Sequence, residues 1–360
     1  MKALANEALQ RGGETQIGDE FDESNQLRIV VFGAGGGGGN TVNRLAKIGI
    51  TGAELAACNT DAQDLRKLDP RITRILIGAK LTKGLGAGGF PEIGMKAAEA
   101  SRNDLVNFLE GTHLIFLCAG MGGGTGTGAA SVIADVGKEV GAIVVAIVTF
   151  PFKLERSRLE KARDGIDRLR RTADTVIVID NNKLVEYVPN LPIDRAFLVA
   201  DEIVARAVKG ITETIKAPSL INLDFADIKS VLGGGKVSVI SVGDGEGPDK
   251  VEASVKNTLD HPLLDVDYKG AKGALIHITG GEDLTIGDAN RVGELITKEF
   301  DPSANVMWGA RIDPSLSDRI EIINIATGVK SQHVMGGGVD RLDEPYVYTS
   351  EVHNLKIRSI

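Results

Sequence analysis

The chain has 360 residues, 42% of them apolar and 25% charged, and a formal net charge of −8, the balance of an ordinary globular protein long enough for two cored domains. Acidity without a basic stretch argues against nucleic acid as main partner, and the longest apolar run, Gly141 to Phe150, is too short to insert in a membrane. The first residues lack a signal core, and Cys58 and Cys118 lie in strand-like apolar runs as buried thiols of a reducing cytoplasm do; with 5 scattered histidines they are too few for zinc chemistry.

Residues 1–26 are polar and aperiodic, which predicts a mobile extension with a short helix near Leu4 to Gln10. Leu27 to Phe32 reads as a buried strand that runs into Gly33–Asn40 (GAGGGGGN), followed by a helix with Val42, Leu45 and Ala46 on one face. Gly33, Gly35 and Gly38 satisfy G-x-G-x-x-G, so a dinucleotide-binding unit, and with it an NAD-dependent oxidoreductase, is a rival reading of this motif alone. The G-x-x-x-x-G-K-[ST] pattern of P-loop NTPases is missing. A second strand, Glu54 to Cys58, ends in Asn59-Thr60-Asp61, where Asp61 suits a ribose hydroxyl or, equally, an Asx turn. The strand Arg74 to Ile77 leads to another glycine loop at 83–89 (KGLGAGG), which contains Ala87 and Gly88. Helical sequence follows from Pro91 to Leu109, with the proline placed for a first turn.

The strand His113 to Cys118 precedes Gly120–Gly128 (GMGGGTGTG), and helical spacing resumes at Ala129, Val132, Ile133 and Val136. A glycine turn between a buried strand and a helix offers unpaired N–H groups and the positive end of the helix dipole, and Thr125 and Thr127 add hydroxyls. The stretch therefore reads as a phosphate cradle. Ala142 to Thr149 is a further strand, and Glu155 and Arg158 follow on a charged helix reaching about Arg171. A surface ion pair is the plain reading of those two charges. Val176 to Ile179 is a strand closed by Asp180-Asn181-Asn182. A long helix from about Asp194 to Ile215 carries so broad an apolar stripe, including Phe197, Ile203 and Ile211, that it should lie between two layers. Strands and helices thus alternate into an α/β, mostly parallel sheet with helices on both faces. The glycine loops all follow strands and converge on one sheet edge, as a polyphosphate requires.

A second unit begins near Ser219. Leu220 to Asp227 leads into a short helix; strands are expected at Val237–Val242, Gly273–Thr279, Asn305–Ala310 and Arg319–Ala326, and helices at Lys250–Asp260 and Leu284–Phe300. The pattern dissolves from Gln332 into a charged tail.

Taken together, GAGGGGGN at 33–40, NTDAQ at 59–63, KGLGAGG at 83–89, GMGGGTGTG at 120–128 and NLDFAD at 222–227 resemble the FtsZ family of prokaryotic tubulin homologues, in order and spacing, from Leu27 to Gly328. The resemblance displaces the oxidoreductase reading and implies a tubulin/FtsZ-like fold, a parallel-sheet domain and a smaller α/β domain joined by a long central helix. It implies a mobile extension at 1–26, a GTP-binding domain at 27–216 including that helix, a second domain at 217–331 with the acid loop, and a flexible tail at 332–360. By the resemblance, Gly36, Gly37, Gly38, Gly39 and Asn40 hold phosphate and nucleoside, with Asp61, Ala87 and Gly88 on the neighbouring loops. Gly124, Thr125, Gly126, Thr127 and Gly128 hold phosphates, Glu155 and Arg158 the ribose and phosphate side. Phe197 stacks on guanine, Asp201 reads its N1/N2 edge and Asn181 assists at the base. Asn222, Asp224 and Asp227 activate water on the next subunit's nucleotide.

The ligands implied are GTP or GDP with Mg²⁺ on the phosphates, since no lysine lies within the glycine runs and side chains supply no evident metal site. A site shared head-to-tail builds a filament, so the main partner is a second copy of the chain, in a cytoplasmic, mid-cell division ring. Membrane-tethering or regulatory division proteins would bind the tail, around Tyr346 to Ile360. A tubulin-like paralogue controlling cell shape is the alternative. Two departures from the family stand out: one residue fewer between Glu155 and Arg158, and Ser219 where glycine is usual. The Pro151–Glu155 loop and the tail are similar to archaeal members.

Overall fold

The computed structural model describes residues 27–216, 225–232, 236–260 and 266–331. The expected extension with its helix near Leu4, the tail from Gln332, Ser219, and Asn222 and Asp224 of the acid loop lie outside the described residues.

Strands β1 (Ile29–Ala34), β2 (Glu54–Asn59), β3 (Thr73–Leu76), β4 (Leu114–Gly120), β5 (Ile143–Phe150) and β6 (Thr175–Asp180) form a parallel sheet in the order β3-β2-β1-β4-β5-β6. The order reverses between β1 and β4, so the loops after those two strands flank the switch point where α/β sheets bind ligands. Each strand but the edge strand β3 feeds two cores, because side chains alternate across a sheet covered on both faces. Val30, Phe32, Ile115 and Leu117 pack with the Thr125–Glu139 and Ser157–Thr172 helices through Ile133 and Ile166. Ile29, Val31 and Phe116 face Val42 and Leu45 of the Gly35–Ile48 helix on the other side.

The helical stretch expected from Pro91 to Leu109 is two helices, Pro91–Ala100 and Arg102–Leu109. Ser101 breaks it at φ −112°, where its hydroxyl accepts the Gly78 N–H at 3.0 Å. A serine that serves a neighbouring loop cannot also be a silent helix-interior residue. The central helix, Ile193–Lys216, runs as expected.

Strands β7 (Lys236–Glu246), β8 (Val266–Asp267), β9 (Gly273–Gly280), β10 (Asn305–Ile312), β11 (Arg319–Thr327) and β12 (Lys330–Ser331) follow. β7, β9, β10 and β11 form a mixed sheet in the order β10-β9-β11-β7, with β11 antiparallel to both its neighbours. β7 also touches β6 over Thr175↔Lys236 and Val176↔Val237, where Thr175 and Ser238 share a hydroxyl hydrogen bond. Helices Lys250–Leu259 and Ile286–Ile296 cover its outer face through Val255 and Val292. The second of these starts later than expected because Thr285 caps it, accepting the Asp288 N–H.

One apolar cluster runs from Ile29, Val31 and Phe116 through Val204, Val208 and Ile211 of the central helix to Ile240, Leu275 and Ile323 of the mixed sheet. The central helix is thus buried between two layers, and the two sheets share its core. Phe116 is fully buried at the middle of the parallel sheet. Phe116→Ala is expected to cost about 3–5 kcal/mol of unfolding free energy, read by urea denaturation, from lost burial and the cavity it leaves.

Candidate functional site

The glycines after β1 and β4 divide into two kinds. Some let backbone meet backbone: a Cβ on Gly35, whose φ is +70°, would lie 2.6 Å from the Gly126 nitrogen, and one on Gly38 would lie 2.1 Å from the Cys118 carbonyl oxygen. Others face open space: a Cβ on Gly36 would meet only the Asp64 Oδ2 at 3.7 Å, and one on Gly123 would meet nothing within 4 Å. The first kind presses the two loops together, and the second leaves room for a ligand. The Gly35–Ile48 and Thr125–Glu139 helices both start beside this space, without a side-chain cap or an acidic residue in the first turn. The Gly35 N–H is taken by the Cys58 sulfur, and the dipole ends of both helices point at the space, where they favour an anion. A cleft of about 270 Å³, lined by Gly36, Gly39, Asn40, Asn59 and Asp64, opens beside the first loop.

Threonine hydroxyls brace this arrangement. Thr60, at the end of β2, shares a 2.6 Å hydrogen bond with Thr125, and Thr127 accepts the Gly122 N–H at 2.8 Å. Asp61 caps the Ala62–Arg66 helix, accepting the Gln63 N–H at 2.8 Å, so its carboxylate is at least half spent on an Asx turn. The 83–89 loop is zipped to the same strand end, with Gly86 N–H donating to the Thr60 carbonyl at 3.1 Å. A Cβ on Gly124 would lie 2.9 Å from the Cβ of buried Ala87, which seats this loop on the β4 loop, and Gly88 follows at φ +62°. Lys161 donates to the Gly89 carbonyl at 2.7 Å and brings a cation to the loop's end.

Glu155 lies in a short 3-10 turn, Lys153–Glu155, ahead of the helix that carries Arg158. The two pair at 2.6 Å, while the other Glu155 oxygen accepts the Phe152 N–H at 3.0 Å. The pair therefore forms despite the short spacing, and Gly122 lies against the backbone of Arg158. Phe197, half exposed on the central helix, meets Phe152 edge-on at 5.7 Å. Asn182 donates to the Pro151 carbonyl at 3.3 Å and accepts the Lys153 N–H at 2.8 Å, fixing that loop to the end of β6. Asn181 is buried with its Oδ1 unpartnered, a polar atom that a ligand could satisfy.

Asp201 accepts the Thr41 hydroxyl at 2.9 Å and so ties the central helix to the first glycine helix. Burial raises its carboxyl above the ordinary range, partly offset by the Thr41 hydrogen bond and by Arg44. Burial likewise pushes Cys58 and Cys118 up to about 12, as inert thiols.

The acid segment stands elsewhere. Asp227 belongs to the Phe225–Leu232 helix, whose Phe225 ring meets His113 edge-on at 6.0 Å. His113 immediately precedes β4, whereas the glycine loop follows it. The length of β4, roughly 20 Å at ~3.3 Å per residue, therefore separates this helix from the cradle. The structure brings the glycine loops, Glu155, Arg158, Asn181, Phe197 and Asp201 to one sheet edge and leaves Asp227 at the other. Thr41, Thr60, Lys161 and Asn182 are contributors that sequence reading missed. Thr60 had a signal in its place within NTDAQ, but Asn182 had none, since its partner Pro151 is remote in sequence.

The buried Asp201 yields a stability expectation with a definite sign. A raised folded-state pKa means the native state takes up a proton more readily than the unfolded chain. The penalty of the buried charge is full above that pKa and fades as pH falls toward the ordinary carboxyl value. Asp201→Asn, which keeps an acceptor for Thr41, should be more stable than wild type to urea at pH 7, and its advantage should shrink on acidification.

The Tubulin/FtsZ family GTPase domain matches residues 28–189, and the FtsZ family C-terminal domain matches residues 236–330. Cell division protein FtsZ 2 of Methanocaldococcus jannaschii is 59% identical over 92% of this chain and 88% of its own. Cell division protein FtsZ 2 of Haloferax volcanii is 48% identical over 93% and 84%. An empty FtsZ dimer structure from M. jannaschii superposes with a TM-score of 0.78 at 41% identity, covering 90% of this chain and 96% of that one. CetZ2 from H. volcanii, 23% identical with a TM-score of 0.71, covering 86% of this chain and 95% of its own, shares the fold alone. The chain belongs to the FtsZ family of tubulin-like GTPases.

Proposed function

We propose that the protein is a cell-division GTPase whose active site is completed only when a second copy docks head-to-tail, and that it acts in a filament at the mid-cell division site. The observation that carries this reading is the placement of the two halves. The cradle lies at the carboxyl edge of the parallel sheet, and the Phe225–Leu232 helix with Asp227 lies at the amino edge. A head-to-tail contact brings one molecule's acid loop to its neighbour's phosphates, and a contact of that kind does not close on itself. The rim of the cradle supports docking: Leu85, Phe90 and Leu154, on loops beyond the strand ends, are 80%, 56% and 84% exposed.

Within the site, N–H groups of Gly36 to Asn40 and of Gly124 to Gly128 hold the phosphates, with Ala87 and Gly88 closing the third side. Phe197 stacks on the base, while Asp201 accepts from guanine N1 and N2, a pair of donors that adenine does not present. Glu155 takes the ribose with Asp61 nearby, Arg158 the phosphate side, and Asn181 offers its unpartnered Oδ1 to the base. The open space beside Gly36, with the Asp64 Oδ2 next to it, leaves room for a hydrated Mg²⁺, which would neutralise phosphate charge when bound. Asn222, Asp224 and Asp227 of the adjoining subunit orient a water in line with the γ-phosphorus and accept its hydrogen bond as the bond to the β-bridging oxygen loosens. The functional units are 27–216 for nucleotide and 217–331 for the acid loop. The segment 1–26 is an extension, and the tail at 332–360 is the docking element for membrane-tethering partners.

GTP turnover per molecule should be near zero at low protein concentration and climb steeply above a threshold, measured as phosphate release over a concentration series. A constant specific activity would sink the shared-site reading. Asp224→Ala should bind GTP and assemble, yet lose about 100-fold or more of turnover, the usual weight of a positioned acid–base group.

A further inference from the structure

Lys161 ties two walls of the cradle together. Arg158, Lys161 and Gly165 stand three and four positions apart on the Ser157–Thr172 helix, hence on one face of it. That face runs along the second glycine loop: a Cβ on Gly122 would lie 2.7 Å from the Arg158 Cβ, and one on Gly165 would lie 2.4 Å from the Thr127 methyl carbon. From between these two contacts, half-buried Lys161 reaches the far end of the 83–89 loop. Its Nζ donates to the Gly89 carbonyl at 2.7 Å and stands over the Phe90 ring, 5.4 Å from the ring centre. The near part of that loop has its own supports at Thr60 and Gly124. Gly88 and Gly89, at φ +62° and +77°, have no side chains to seat the far end, and a Cβ on Gly89 would meet nothing within 4 Å. Phe90 follows, just before the Pro91–Ala100 helix, with more than half of its surface exposed on the rim.

We infer that Lys161 is the positioning residue of the docking rim: it holds the Gly89–Phe90 end of the loop so that the Phe90 ring meets an incoming copy of the chain already oriented. The inference rests on the head-to-tail reading above. An exposed ring that must be ordered on contact gives up rotamer freedom at that moment, and a ring seated beforehand does not. A cation over one face holds the ring through its quadrupole and leaves the remaining apolar surface to the partner. The hydrogen bond to the Gly89 carbonyl fixes the backbone from which the ring projects. Arg158, proposed for the phosphate side, stands one turn before Lys161, so cradle and rim share one helix face.

The test is the threshold concentration for phosphate release by the full chain, set beside the affinity of dilute protein for a fluorescent GTP analogue. Wild type is compared with Lys161→Met, Lys161→Arg, Phe90→Leu and the Lys161→Met/Phe90→Leu double variant. Methionine keeps the apolar stem and removes donor and charge together. It should raise the threshold about fivefold or more, the weight of one charge-assisted hydrogen bond and one cation–π contact, and by several times more than it weakens nucleotide binding. Arginine, which donates to a carbonyl and stacks on a ring, should bring the threshold back to within about twofold of wild type. With leucine at position 90, the rise caused by Lys161→Met should be smaller by about two- to fivefold, because groups in contact couple. Three outcomes overturn the role of Lys161 while the shared site stands: a threshold that Lys161→Met does not move, one that rises only in step with lost nucleotide affinity, or one that rises equally with and without the ring. Failure of arginine to restore the threshold overturns it too. If wild type shows no threshold, the head-to-tail reading falls and takes this inference with it.

Discussion

The contact on which the rest of this structure depends is backbone against backbone. Gly35 after β1 presses onto Gly126 of the helix that follows β4, and Gly38 onto Cys118 of β4 itself, at distances that no side chain tolerates. Because β1 and β4 are neighbours at the point where strand order reverses, two helix starts emerge side by side. Neither start has a side-chain cap from its own N-cap residue. Adding one methyl group to either close-contact glycine separates the loops, so these positions admit glycine for packing, independently of any ligand. The remaining glycines, at 36 and 123, keep the resulting space open.

The loops around this centre are tied by polar links from elements distant in sequence. Thr60 just after β2 reaches Thr125, and Asn182 after β6 holds the segment that carries Phe152 and Lys153. Such links position atoms without adding apolar bulk to a site that must stay wet and polar. Asp201 shows the opposite balance. Its burial costs stability, partly offset by Thr41 and Arg44.

The central helix makes the two sheets into one mechanical body. Val204, Val208 and Ile211 bury themselves between Phe116 of the parallel sheet and Ile323 of the mixed sheet. A Cβ on Gly210 would lie 1.8 Å from the Ile323 side chain, so the helix approaches β11 closely. The same helix carries Phe197 and Asp201 near the cradle and leads on toward the acid segment. The proposed nucleotide site and the core of the mixed sheet therefore share one helix.

The strands, the central helix and each glycine loop were legible from sequence because local signals write them: alternating or continuous apolar runs, a 3.6-residue period, and glycine where a strand turns into a helix. Motif order added the family and, through it, the roles proposed for Phe197 and Asp201, which local reading would leave as a core ring and a surface charge. Sequence missed the break at Ser101 and the bracing role of Thr60 and Asn182, since each answers a partner remote in the chain. It also could not decide which glycines pack and which stay open, because that depends on what stands opposite each one across the fold. The chain alone determined that an anion-binding α/β protein of this family would form. Only tertiary structure decided that its acid helix lies a strand's length from its own cradle, because distance between loops is set by the sheet that separates them and not by their spacing in sequence.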